Sequence, residues 1–103
     1  MGRAVTRGPT VQYGLDGDAD LDHCSAMRRW ERSDNVRVNG RGISRQWDVN
    51  TIHLLPCGSD CCWHEAPIVV GSLIVKVNGR GCGRVGDATC TMVAEGSFNV
   101  FAG

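Results

Sequence analysis

The chain has 103 residues, 11 basic and 11 acidic side chains for a formal net charge of zero, and an aromatic content of 6%. This length leaves room for one domain with a small core, for which a supplementary staple is expected. The charge balance excludes a general binder of nucleic acid or of acidic membrane surfaces.

Residues 1–13 show no period and are expected to form an N-terminal arm, with a repeat domain from 14 to 103. Met1-Gly2-Arg3-Ala4-Val5-Thr6 formally fits an N-myristoylation pattern, but a glycine after a methionine is common enough to carry little weight. Asp16, Asp18, Asp20 and Asp22 then alternate, and in a strand they would share one face and repel one another. A solvated turn with arginine neighbours is expected, since the glycine of a calcium loop is misplaced. The arginines suit such ordered pairing, and Lys76 is the only lysine. Residues 26–32, Ala-Met-Arg-Arg-Trp-Glu-Arg, have the length of one helical turn but read as an irregular connection, because a hairpin follows at once.

That hairpin is Ser33 to Asp48. Val36 and Val38 flank Arg37 in period-two alternation, and Asn39-Gly40 supplies the positive φ angles of a tight turn. The unit recurs without a gap as Ser72 to Asp87. Ser33 falls on Ser72, Val36 on Val75, Val38 on Val77, Asn39-Gly40-Arg41-Gly42 on Asn78-Gly79-Arg80-Gly81, Arg45 on Arg84 and Asp48 on Asp87. A third, truncated copy, Gly96 to Gly103, stops where its turn should come. Two and a half copies make this a repeat protein with an all-β fold. Between the full hairpins, Pro56 and Pro67 punctuate residues 49–70. Ile68-Val69-Val70 reads there as a short buried strand, and Trp47 and Trp63 read as cover for a small core, with partner binding second.

The repeat also places the histidines. His23 stands ten residues before Ser33, His64 eight before Ser72, and Cys90 seven before Ser97. His53 follows Asp48 by five residues, as His23 follows Asp18. If the copies surround a common axis, three imidazoles and one thiolate meet near it, a closed set of the kind structural zinc takes. A local rival is a self-contained loop, His53-x3-Cys57-x3-Cys61-Cys62-x-His64, and spacing alone leaves both open. Cys24 and Cys82 read as small core hydrophobes, and vicinal Cys61-Cys62 as packed thiols. Six cysteines suit a disulfide framework. With no apolar leader and no run long enough to span a bilayer, however, the reading leans to cytoplasmic synthesis and reduced thiols. No phosphate loop, nucleophile elbow or HExxH points to an enzyme, and four protein ligands leave a zinc ion no open position.

Val36-Arg37-Val38-Asn39-Gly40, Val75-Lys76-Val77-Asn78-Gly79, Gly83-Arg84-Val85-Gly86-Asp87 and the closing Gly96 to Gly103 resemble the PAAR-repeat proteins, from about Asp18 to the C-terminus. The resemblance implies a small single-domain cone of β-hairpins with pseudo-threefold symmetry. Such a cone caps the trimeric β-helical spike of a contractile phage tail or type VI secretion system. It also implies a metal near the apex held by three histidines and a cysteine, here His23, His53, His64 and Cys90. The ion expected is zinc, with iron as the alternative. The partner expected is the C-terminal end of the spike, one cap per trimer, with transient membrane contact, no nucleic acid and a monomer when isolated. Ser44-Arg45-Gln46-Trp47-Asp48 and the Cys57 to Cys62 insertion depart from the family pattern. The tryptophan and histidine after the first hairpin look more like the phage members, so a virion tip is expected, or a cytoplasmic protein later delivered by secretion. The alternative function is a zinc-loop module recognising a protein or nucleic acid through Arg28, Arg29 and Arg32. A disulfide-stapled secreted domain comes third.

Overall fold

Both Asn-Gly pairs sit where the chain reverses. In the computed structural model, which describes residues 2–10 and 16–103, φ is 54° at Asn39, 77° at Gly40, 53° at Asn78 and 79° at Gly79. These consecutive positive values are those of a two-residue hairpin turn, which asparagine and glycine adopt at the least steric cost. The first turn joins β4 (Arg37–Val38) to β5 (Arg41–Gly42), and the second joins β8 (Lys76–Val77) to β9 (Arg80–Gly81).

The third hairpin is assembled from the two ends of the described chain. β1 (Arg3–Ala4) pairs antiparallel with β10 (Phe101–Ala102), Arg3 opposite Ala102 as Arg41 is opposite Val38 and Arg80 opposite Val77. Arg3-Ala4-Val5-Thr6-Arg7 is therefore the return strand that the truncated third copy lacks. This corrects the expected arm for residues 3–10, where Val5, Thr6 and Arg7 are buried. The rest of that expectation, at Met1 and residues 11–13, and the domain start at 14 lie outside the described residues.

Three equivalent backbone bonds close the ring. Thr6 N–H donates to Gly83 O, Gly83 N–H to Ser44 O and Ser44 N–H to Thr6 O, all at 2.9–3.1 Å. A Cβ at Gly83 would stand 2.6 Å from Ser44 O, so a bare backbone is required there. Around the ring, Val5, Ile43 and Cys82 form one layer of equivalent apolar residues and Val38, Val77 and Ala102 another, and these six are one buried cluster. A core this small contributes limited apolar burial, and ionic and polar ties supplement it.

Each ring unit carries one buried aspartate held by its own arginine. Arg7, Arg45 and Arg84 each donate the backbone N–H and Nε to one carboxylate oxygen, and Nη2 to the other, of Asp18, Asp48 and Asp87 respectively, at 2.8–3.1 Å. A second arginine from the next unit completes each cage: Arg41 on Asp18, Arg80 on Asp48 and Arg3 on Asp87. Such fork geometry explains why the chain uses arginine here and not lysine. A serine ties each joint in turn. The Oγ atoms of Ser33, Ser72 and Ser97 accept from the backbone two and three residues on. They donate to Asn78 Oδ1, Gly103 O and Asn39 Oδ1.

The remainder hangs on this ring. β2 (Ala19–Asp20) pairs with β3 (Met27–Arg28), so part of the expected connection at 26–32 is a strand. β6 (His53–Cys57) and β7 (Asp60–His64) form the longest hairpin. Asp18 and Asp20 are buried against arginines, unlike the expected solvated turn, and only Asp16 and Asp22 remain in solvent. Ile68 is buried, but Val69 and Val70 are exposed: beyond a single bridge from Ile68 to Gln46 the segment leaves the core. Trp47 and Trp63 are 55% and 73% exposed, so neither covers the core as the sequence suggested. The outcome is a single all-β domain, 40 × 26 × 23 Å, with no helix among the described residues.

Candidate metal centre

Antiparallel pairing decides the site. His53 and His64 are directly opposite in the first rung of the β6–β7 hairpin, and residues paired across an antiparallel ladder project to the same face. Their rings are 4.7 Å apart, edge to face. His23, which follows β2 by three residues, lies beside both, with centroids 5.6 Å from His53 and 6.0 Å from His64. Cys90 enters from the turn spanned by the Ala88–Met92 bridge, its Sγ 3.4 Å from His53 Nε2. One donor atom from each of His23, His53, His64 and Cys90 falls within 4.8 Å of the others. The residues singled out by their register with the repeat are thus brought together.

Three observations fit this cluster to a metal ion. Nε2 of His23 and Nε2 of His64 are buried and have no hydrogen-bond partner among the described residues, a costly arrangement unless something else binds them. Nδ1 of His53 donates to the Thr51 carbonyl at 2.7 Å, which leaves Nε2 as the free lone pair and orients the ring, as outer contacts of a ligand histidine do. Burial, then the neighbouring imidazoles of His53 and His23, hold the His64 pKa below the ordinary value. Its neutral, ligating form is therefore the favoured one. Three nitrogens and one sulfur make a donor set that could hold a metal ion.

The cysteine readings need correction. Cys24 and Cys61 form one disulfide, and Cys57 and Cys62 another. Cys24 is therefore no core hydrophobe, and Cys61 and Cys62 are exposed half-cystines in place of packed thiols. Only Cys82 sits in the core as expected, 1% exposed. The disulfides also remove Cys57, Cys61 and Cys62 as ligands of a self-contained zinc loop, because a bonded sulfur offers no thiolate. They run against the expected reduced state. Of the arginines proposed to contact a partner, Arg29 has no exposed surface and pairs with Asp20. Arg28 Nη1 and Arg32 Nη1 donate to the carbonyls of Gly17 and Trp30.

Sequence reading missed the surroundings of Cys90. Asn50 and Met27 are buried against it, and Asp20 and Arg29 are buried behind Asn50; burial raises the Asp20 pKa although Arg29 and Asn50 oppose the shift. The polar character of Asn50 and Arg29 gave no sign of this, since such residues are most often on the surface. Compared with known proteins, the chain matches no family model and no curated protein.

Proposed function

We propose that this chain is a metal-stabilised structural tip that caps the end of a trimeric β-helical spike, of the kind found in contractile tails and type VI secretion systems. The observation that carries the reading is the closed ring of three equivalent units in one chain, joined through Thr6, Ser44 and Gly83. A body with internal threefold symmetry is matched to a threefold partner and has no need to trimerise. Leu73 and Phe98 occupy equivalent positions after Ser72 and Ser97. With Ile74 and Phe101 they form large exposed apolar side chains, Leu73 being 87% exposed, suited to burial against such a partner.

His23, His53, His64 and Cys90 would hold the ion, adding a cross-link to segments that the Asp20–Val93 bridge and the bond from Cys24 N–H to Leu54 O already bring side by side. Bound there, the ion would act as a structural cross-link. Metal binding supplies roughly 10–16 kcal/mol of folding free energy in small zinc domains, more than the whole margin of a typical domain. A protein with little volume for a core gains its stiffness in this way.

The test has two parts. Metal analysis of untagged protein is expected to return one zinc or iron per chain. Light scattering should give a monomer that forms a one-to-three complex with the C-terminal fragment of a trimeric spike. A stable homotrimer of the isolated chain, or three caps per spike trimer, would sink the reading.

A further inference from the structure

Asn50 joins the backbone at Ala66 to the surroundings of Cys90. It is completely buried, and its backbone N–H donates to Ala66 O while its Oδ1 accepts from Ala66 N–H at 2.9 Å. That second bond fixes the orientation of the carboxamide, so Nδ2 must face the other way. There Nδ2 lies 3.2 Å from Asp20 Oδ2, 3.3 Å from Met27 Sδ and 3.8 Å from Cys90 Sγ. The two amide hydrogens thus have one carboxylate and a pair of sulfurs to serve. Asp20 is already held by Arg29, whose Nη2 reaches the Asp48 carbonyl.

An N–H aimed at a buried sulfur restrains its position and polarises it. The Asn50 amide is within reach of both the Asp20 side chain and the Cys90 sulfur. We propose that Asn50 is a positioning residue of the metal centre, donating an N–H···S hydrogen bond that orients Cys90 as a ligand. The inference rests on the metal reading of the His23, His53, His64 and Cys90 cluster. Donation to a ligating thiolate withdraws charge from the sulfur, so it lowers the energy of the sulfur electrons and restrains the ligand. Outer contacts of this kind are typically worth roughly 10–100-fold in metal affinity.

Two measurements test the proposal, one of them without any substitution. In wild-type protein loaded with ¹¹³Cd, the Asn50 side-chain amide proton should shift downfield and couple to cadmium through the sulfur. Its chemical shift should otherwise stay that of an amide bonded only to Asp20, and that result would overturn the proposal. In Co(II)-loaded protein, Asn50→Asp retains the acceptor for Ala66 N–H but loses the donor. It should move the sulfur-to-cobalt charge-transfer band to lower energy and speed metal release to a chelator about 10-fold or more. An unchanged band and release rate in folded Asn50→Asp would refute the role of Asn50 while leaving the centre intact. Wild-type protein that takes up neither ion would refute the metal reading, and this inference with it.

Discussion

Thr51 O accepts from His53 Nδ1 at 2.7 Å, and the opposite nitrogen of the same ring faces Cys90 Sγ at 3.4 Å. One backbone carbonyl therefore selects the tautomer through which His53 joins the cluster. Removing any member of the cluster should strip the metal and lower the melting temperature sharply, since the others stay buried and unpaired. His23→Ala and Cys90→Ala should abolish metal content measured by elemental analysis, whereas Cys57→Ala and Cys61→Ala should leave it near one equivalent. The reverse pattern would move the site to the hairpin.

The Cys24–Cys61 bond spans 37 residues and fastens the segment carrying His23 to the hairpin carrying His53 and His64. Cross-links that close longer loops restrict the unfolded chain more, so Cys24→Ser should cost about 2–4 kcal/mol. Cys62→Ser, which opens a bond of separation 5, should cost less. Denaturation midpoints with and without a thiol reductant check the order, and equal midpoints for the two variants would contradict it.

Asp48 is buried and takes the guanidinium groups of both Arg45 and Arg80. Asp48→Ala would leave them facing a cavity without a counter-charge, at a cost of about 3–5 kcal/mol. Urea denaturation measures this directly. A loss below 1 kcal/mol would mean that the cages are ornamental to stability.

Among the described residues, and apart from its chain neighbours, nothing lies within 4 Å of a Cβ placed on Gly79, whose φ is +79°. The cost of Gly79→Val is then purely backbone strain, about 1–3 kcal/mol. An unchanged denaturation midpoint would show that the turn can adopt another form.

Burial raises the Cys82 pKa from 9.0 to about 11. The folded thiol keeps its proton while the unfolded one loses it, so stability should fall as pH rises from about 9 towards 11. That slope should be absent from Cys82→Ala, which is less stable throughout. Alkylation should likewise reach Cys82 only after denaturant is added. Rapid labelling of the folded protein at pH 8 would contradict the buried, protonated thiol.

The parts of this molecule legible in its sequence are those that local chemistry fixes. Asn-Gly has few backbone alternatives, and the spacing of His23, His64 and Cys90 follows the same repeat as the hairpins they precede. Other parts depended on partners distant in sequence. Arg3-Ala4-Val5-Thr6-Arg7 matches Arg41-Gly42-Ile43-Ser44-Arg45 residue for residue in class, and that match was the available signal for the missing strand. The signal is faint because the strand that Arg3-Ala4 pairs with, Phe101–Ala102, is distant in sequence and no Asn-Gly pair stands beside either. The disulfide partners of Cys24 and Cys57 could not be read from spacing, since four cysteines permit three pairings. The exposure of Trp47, Trp63, Val69 and Val70 was hidden for a related reason: an apolar side chain records a preference for burial, and a surface meant for a partner records the same one.

The hairpin made from β1 and β10 gives the protein a direction of weakness. Gly2 and Gly103 leave the pair on the same side, beyond the Arg3–Ala102 rung. Tension applied at these two residues would open that ladder one rung at a time, as a zip opens, with few bonds resisting at any moment. A load shared by the three units would instead be carried in parallel by the bonds among Thr6, Ser44 and Gly83. The same closure therefore yields more readily to a pull at its seam than to a load that all three units share.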